Sequence, residues 1–294
     1  MTVLHLDSGR EMRGGQWQAL RLMDGLRQQG ITPILLSPRQ SPLSAQARRE
    51  GLEVYALSPW SVYRRARHAD LVHAHDAHSH TLAALLSKTP LIVSRRVAFP
   101  IRSRWKYRHA ARYAAVSQFV KRVMVEAGVP AEKIDVIYDG VPPAGSAPGG
   151  NAVVAPASAD PLKGSALALE ATRRAGVDLI LSRDLETDLS RAALFLYLTH
   201  SEGLGSAILL AMAAGVPVIA SRVGGIPEII QHQQNGWLSD NDPEPIAAAI
   251  RTLLADRALA QRLGTAGRQT IAEKFTMRQM IQNTIHLYRQ VLAC

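Results

Sequence analysis

The sequence is poor in cysteine, in aromatic side chains and in long apolar runs. Its one cysteine, Cys294, is the last residue, which excludes an intrachain disulfide and leaves no cysteine cluster for a metal. A reducing, cytoplasmic setting is expected. Aromatic residues make up 5% of the chain, against 47% hydrophobic and 20% charged residues overall, the composition of a soluble globular enzyme or binding protein. The longest apolar run, Ala207 to Ala220, contains Gly215 and Pro217 and is shorter than the roughly 20 residues that span a bilayer. No membrane crossing is expected, and "MTVLHLDSGREMRGG" lacks the basic region and apolar core of a signal peptide.

Acidic residues are outnumbered by basic ones only in the first half. Residues 1–150 hold 21 Lys and Arg against 11 Asp and Glu, and residues 151–294 hold 13 against 13, so the whole formal excess of ten lies before residue 151. Within it, "RRVAFPIRSRWKYRHAAR" (Arg95 to Arg112) has seven basic residues, no acid, and interleaved Phe99, Trp105 and Tyr107. Such a face suits anionic headgroups, a phosphorylated substrate or nucleic acid, or is simply a solvated basic surface. Nucleic acid ranks last, because the run has no recognised nucleic-acid motif.

At 294 residues the chain is expected to form two domains. Short apolar segments ("TVLHL", "ITPILLS", "LEVYALS", "ADLVHAH", "PLIVS", "YAAVS", "IDVIYDG") alternate with helical patterns such as "GQWQALRLMDGLRQQG", "AHSHTLAALLSK" and "QFVKRVMVEAGV". This is the signature of parallel βαβ units and a doubly wound α/β domain. "GVPPAGSAPGGN" (Gly140 to Asn151) has no periodicity and reads as a linker. The alternation then restarts with "AVVAPA", "GSALALEATRRAG", "VDLILS", "LETDLSRA", "LFLYLTH" and "VPVIAS". The expected domains are 1–143 and 151–294, joined by 144–150, with a ligand cleft at the carboxyl ends of the strands. The amphipathic "FTMRQMIQNTIHLYRQVL" at the end of the chain is a packing helix.

The segment "HSEGLGSAILLAMAAG" (His200 to Gly215) sets a glycine-rich turn ahead of an apolar helix. A helix start presents unpaired N–H groups and partial positive charge, which suits a phosphate. Glu202 beside it offers lone pairs to sugar hydroxyls. It reads equally as an acid favoured by the helix dipole, with glycines serving only the turn.

The same stretch, continued as "HSEGLGSAILLAMAAGVPVIASRVGGIPEII" and "NGWL", resembles the nucleotide-sugar-binding half of family 4 glycosyltransferases, the retaining enzymes of GT-B fold. "AAVSQFVKRVMVEAGVPAEKIDVIYDGV", "DLVHAH" and "RGGQWQALRLMDGLRQQG" resemble parts of their N-terminal domain. The resemblance implies two Rossmann-like domains facing a central cleft, the last helix packing back on the N-terminal domain. It also implies sugar transfer from a nucleotide-diphosphate sugar to an acceptor hydroxyl with retention, without a metal or other cofactor. Glu202 then meets the donor sugar, the amides of Gly203, Leu204, Gly205 and Ser206 meet the diphosphate, and Lys163 in "DPLKGS" neutralises the leaving group. Gly14 and Gly15 allow close backbone approach to donor and acceptor. The implied acceptor is a cell-envelope glycan or glycolipid, and the basic first half adds a peripheral place on the inner face of the plasma membrane, by attraction to anionic headgroups.

Three departures from the family pattern stand out. Leu210 occupies the place of the family's second glutamate, eight positions after the first, which holds the ribose diol. No arginine precedes Lys163 in "APASADP", and the 39 positions from Lys163 to Glu202 leave room for one helix and strand fewer than usual. Leu210, the missing arginine and the shortened domain keep open a non-catalytic protein on a degenerate scaffold, a partner of an active enzyme. In the first domain Arg95 and Arg96 follow "PLIVS", where relatives place a histidine. Each is a candidate for gripping a donor or acceptor anion, or part of the basic surface. The cluster "HAHDAHSH" sets His73 and His75 on one strand face and His78 and His80 on the following helix. No metal is expected there, because the rings need not converge. His75, near a strand end, is a cleft hydrogen-bonding or acid/base candidate.

Overall fold

The computed structural model describes residues 1–101, 105–143 and 149–293. Residues 144–148 of the expected linker, Arg102 and Arg104 of the basic run, and Cys294 lie outside the described residues. The chain divides into two compact units, Met1–Asp139 with Met277–Cys294, and Gly140–Thr276.

In the first unit β1 (Thr2–Leu6), β2 (Thr32–Ser37), β3 (Glu53–Ala56), β4 (Leu71–Ala74), β5 (Leu91–Arg95), β6 (Arg112–Ala115) and β7 (Ile134–Val136) form one parallel sheet. Its order is β3-β2-β1-β4-β5-β6-β7. Parallel neighbours need crossovers, supplied here by α1 (Gly14–Gln28), α2 (Pro42–Arg49), α3 (Pro59–Ala66), α4 (Ala77–Leu86) and α5 (Gln118–Glu126). α2 and α3 start in the same way, with a serine cap (Ser41, Ser58) accepting a backbone N–H and proline at the first helical position. The strand order reverses between β1 and β4, and ligands of open α/β sheets bind beyond the carboxyl ends at such a point.

The second unit is a five-stranded parallel sheet of β8 (Ala152–Pro156), β9 (Leu179–Ser182), β10 (Ala192–Tyr197), β11 (Val218–Ser221) and β12 (Trp237–Ser239). Its order is β12-β11-β10-β8-β9. It is covered by α6 (Ser165–Ala175), α7 (Leu185–Leu189), α8 (Ser206–Ala214), α9 (Pro243–Ala255) and α10 (Arg257–Lys274). The order reverses between β8 and β10, so the loops after those two strands share its switch point. They carry Lys163 and Glu202.

The terminal helix α11 (Met277–Leu292) belongs to the first unit. Met280, Ile285, Leu287, Tyr288 and Val291 join Val3, Leu22, Leu26, Leu71 and Ile92 in one apolar cluster. Gly25 lets α11 lie close to α1, since a Cβ there would stand 2.0 Å from Ile281 Cδ1. Each of the fully buried side chains contributes roughly 1.5 to 3 kcal/mol, so this helix is integral to the unit.

Candidate functional site

Each unit carries its candidate site side chains at its own switch point. In the second, a 3-10 turn (Pro161–Lys163) is capped by Asp160, whose Oδ1 accepts from Leu162 N at 3.0 Å. Gly164 follows in the left-handed region, φ 63°, where a Cβ would stand 2.4 Å from the Leu198 carbonyl oxygen. Only glycine fits there. The turn aims Lys163 at Glu202, with Nζ 2.8 Å from Oε2. The Tyr197 hydroxyl, at the end of β10, donates to the same oxygen at 2.6 Å, and the Gly203 amide donates to Oε1 at 3.0 Å. Burial and the neighbouring Glu202 hold the Tyr197 phenol well above its ordinary pKa, which keeps it a donor. The Glu202 carboxylate is 13% exposed and Lys163 37%.

The backbone of Glu202 is fixed as firmly. Gly224, φ 59°, lies so close that a Cβ would stand 1.9 Å from the Glu202 carbonyl oxygen, which also accepts from Gly225 N at 3.3 Å. Gly205, φ 107°, is the N-cap of α8 and leaves that helix without a side-chain cap. Ser206 therefore opens α8 beside Glu202, an anion seat in both hydrogen bonding and dipole. Gly203, expected to serve the diphosphate with Leu204, Gly205 and Ser206, gives its amide to Glu202, and the Leu204 side chain is buried.

In the first unit β1 runs into Asp7 and β4 into His75 and Asp76. Asp7 is buried and accepts from Gly9 N at 2.8 Å and the Gln16 amide at 3.2 Å. Burial first, and then the charge of Asp76, push its carboxyl above the usual range. Asp76 caps α4 through His78 and Ser79 and holds Ser8 by backbone and hydroxyl at 2.7 Å. The β1–α1 loop is thus tied down just ahead of Gly14 and Gly15, which open α1. A Cβ on Gly15 would stand 3.6 Å from Arg96 Cδ.

Arg96 is held by Asp139 at 3.3 Å and by His75 Nδ1 at 3.4 Å. A guanidinium only donates, so His75 Nδ1 accepts and the ring's proton sits on Nε2. That proton is donated to His5 Nδ1 at 2.9 Å, placing the proton of His5 on Nε2, a buried atom without a partner. His73 lies beside them, with Nδ1 2.6 Å from the Tyr288 hydroxyl and Nε2 2.8 Å from Ser94 Oγ. Burial holds His5 down to about 3 and His73 and His75 well below the ordinary value.

This corrects two expectations. His75 is neutral, its one ring proton is given to His5 and its other nitrogen accepts from Arg96, so neither nitrogen is free to exchange a proton with a ligand. Arg95 is 9% exposed, on the opposite strand face from Arg96, and its guanidinium bonds the Tyr107 hydroxyl and the Phe99 carbonyl. It is not part of an exposed basic surface, and both guanidinium NH2 groups are spent on these partners. The ligand nitrogens of His5, His73 and His75 lie within 4.8 Å of one another. A metal there would have to displace the bonds to Tyr288, Ser94 or Arg96 and stand beside a guanidinium, so the donor set does not fit one.

The family descriptions "Glycosyltransferase Family 4" and "Glycosyl transferases group 1" match residues 12–144 and 150–270. The chain belongs to the family 4 glycosyltransferases. It is similar to N-acetyl-alpha-D-glucosaminyl L-malate synthase of Bacillus anthracis, 37% identical over 105 residues, 35% of this chain and 28% of that protein. It is also similar to the GDP-mannose-dependent alpha-(1-6)-phosphatidylinositol monomannoside mannosyltransferase of Mycobacterium tuberculosis, 44% identical over 75 residues, 25% of this chain and 20% of that one. The matches cover less than a third of either relative. Anabaena Alr3699/HepE, solved in complex with UDP and glucose, superposes with a TM-score of 0.86 at 17% identity, over 97% of this chain and 98% of that one. The shared fold is GT-B, with two Rossmann-like domains.

For a family 4 glycosyltransferase, the residues that sequence reasoning missed are Tyr197, Gly224, His5, Asp139 and Tyr288. All but Tyr197, five residues from Glu202, act through a partner distant in the chain. Leu210, in place of the second glutamate, is half-buried on α8, one turn beyond Ser206. Replacing Tyr197 by Phe keeps the ring and removes one donor to a carboxylate, an interaction worth about 1.5 to 3 kcal/mol. We expect kcat/KM to fall roughly ten- to hundredfold, mostly in kcat, with nucleoside diphosphate affinity unchanged. Steady-state kinetics beside calorimetry will check this.

Proposed function

We propose that this protein transfers a sugar from a nucleotide-diphosphate sugar to a hydroxyl of a glycan or glycolipid acceptor, with retention at the anomeric carbon and without a metal. The observation that carries the reading is Glu202, held by Tyr197 and Gly203, with Lys163 2.8 Å away at the mouth of α8. The diphosphate takes the α8 amides and draws Lys163 off Glu202. The freed carboxylate, still held by two donors, accepts from the sugar hydroxyls. As the bond from the anomeric carbon to the phosphate oxygen breaks, Lys163 and the helix start stabilise the charge on that oxygen. The acceptor oxygen bonds the carbon on the same face, and its proton passes to the departing diphosphate. Arg96, pinned at the first unit's switch point, is the candidate for an anionic group on the acceptor or donor.

The phosphatidylinositol acceptor in the name of the mycobacterial relative supports a lipid-linked acceptor. Among the described residues no helix is long and apolar enough to cross a membrane; this reading has the protein meet a lipid acceptor peripherally, on the cytoplasmic face. Leu210 favours a second reading, a sugar-nucleotide-binding partner without turnover. Calorimetry with UDP, GDP and ADP tests both. One diphosphate should bind, and Lys163→Ala should weaken it ten- to hundredfold, the scale of roughly 1.5 to 3 kcal/mol for a charge-assisted contact. If none binds, both readings fall; binding without transfer from any nucleotide sugar of that base leaves the second.

A further inference from the structure

We propose that the outward face of α3 is an interfacial anchor that seats the first unit on a lipid bilayer carrying anionic headgroups. Val62 and Ala66 are buried, which turns the opposite stripe to solvent. That stripe is Trp60, Tyr63, Arg64 and, at the C-cap, Arg67, the spacing of neighbours on one helix face. Trp60 is 66% exposed, the highest value among the exposed large apolar side chains. Its ring centroid is 5.9 Å from that of Tyr63, and the Arg67 guanidinium lies 4.1 Å over the Tyr63 ring. Arg65, on the flank, covers Tyr55 and reaches Glu53 at 3.8 Å. The stripe itself has no acid.

Indole and phenol rings prefer the headgroup level, where one part of the ring is dry and the other wet. Guanidinium groups pair with the phosphates found there. A nucleic acid would also meet the cations, but it needs a succession of open ring faces on which to stack bases; Arg67 and Arg65 each cover one face of Tyr63 and Tyr55, which leaves Trp60 as the one ring of the stripe without a guanidinium over it. The bilayer is therefore the occupant that the stripe fits. α3 begins three residues after β3 ends, so its first turn, with Trp60, lies at the carboxyl edge of the sheet that also carries Asp7, His75 and Arg96. A bilayer at Trp60 would lie at the edge where the proposed function places acceptor chemistry. The proposal rests on that reading for its purpose, though not for its measurement.

The test is flotation of the full chain with vesicles of equal phosphatidylglycerol and phosphatidylcholine, and with phosphatidylcholine alone. Binding is expected only to the anionic vesicles and should weaken as salt rises. Trp60→Ser and the double variant Arg64→Glu, Arg67→Glu should each lower partitioning at least tenfold, since each cation near such a surface contributes roughly fivefold. The melting temperature and nucleoside diphosphate affinity should stay at wild-type values. Wild-type binding that survives both variants would overturn the anchor while leaving membrane attachment in place. No binding to anionic vesicles, or loss seen only with a single-stranded oligonucleotide, would overturn it outright. Intact vesicle binding without nucleotide binding would instead sink the transferase reading.

Discussion

Replacing Glu202 by glutamine will lower sugar transfer by about two to three orders of magnitude and leave nucleoside diphosphate binding within a few-fold of wild type. The carboxylate accepts from Lys163 and Tyr197 on one oxygen and from Gly203 on the other. An amide has only one accepting oxygen. If that oxygen keeps Tyr197, the NH2 group faces the Gly203 amide, donor against donor. If it turns to Gly203, the NH2 group faces Tyr197 and Lys163. Either way at least one donor is left without a partner, and the group that meets the sugar is neutral. Loss of two charge-assisted contacts amounts to about 3 to 4 kcal/mol, a factor of roughly 100 to 1,000 in rate. The diphosphate is expected to bind through Lys163 and α8, so its affinity should not follow. Initial rates with the nucleotide sugar selected by calorimetry will decide. A variant with near wild-type turnover would remove Glu202 from the sugar site. Ground-state binding alone would shift KM; the loss is expected in kcat as well, because the hydroxyl contacts strengthen as charge develops on the sugar.

The doubly wound arrangement was legible because each strand of a parallel sheet is a short apolar run and each crossover needs a helix. Where the sequence reading passed over helices, as at α2 and α3, a signal was present. "SPLSAQARR" and "SPWSVYRRA" both place serine at the cap and proline at the first helical position. Strand parity also separates Arg95 from Arg96, since consecutive residues face opposite ways. One arginine is buried under Tyr107 and the other meets Asp139. The histidine relay was not legible in the same way. His73 and His75 share a face by parity, but their partners come from β1, β5 and α11, with His5 set beside His73 by sheet register. Likewise Glu202 stood out by its place before a helix. The donor that fixes it, Tyr197, looked like one more residue of an apolar strand, and Gly224 like half of an ordinary glycine pair.

That relay makes the protein acid-sensitive, and the expected loss is large. His5, held down to about 3, and His73 and His75, held well below the ordinary 6.5, are neutral in the folded state because burial strips water from the charged form. In the unfolded chain each titrates near 6.5. Between 6.5 and the depressed folded values the unfolded state binds more protons, so stability is full above 6.5 and falls as pH drops through that window. Each such histidine loses about 1.4 kcal/mol for the first unit of pH below 6.5, and three together about 4 kcal/mol at pH 5.5. Proton uptake within the fold offers little relief, since Arg96 stands 3.4 Å from His75 and repels a second cation. Urea unfolding at pH 7.0 and 5.5 will measure the drop. His5→Asn, whose amide oxygen can accept the proton of His75 Nε2, should reduce the pH dependence by about a quarter, because His80, which burial holds down to about 4, titrates in the same window and one of four such rings is gone. A wild-type midpoint that does not move between these pH values would mean that the rings carry charge inside the fold, with water or an anion beside them.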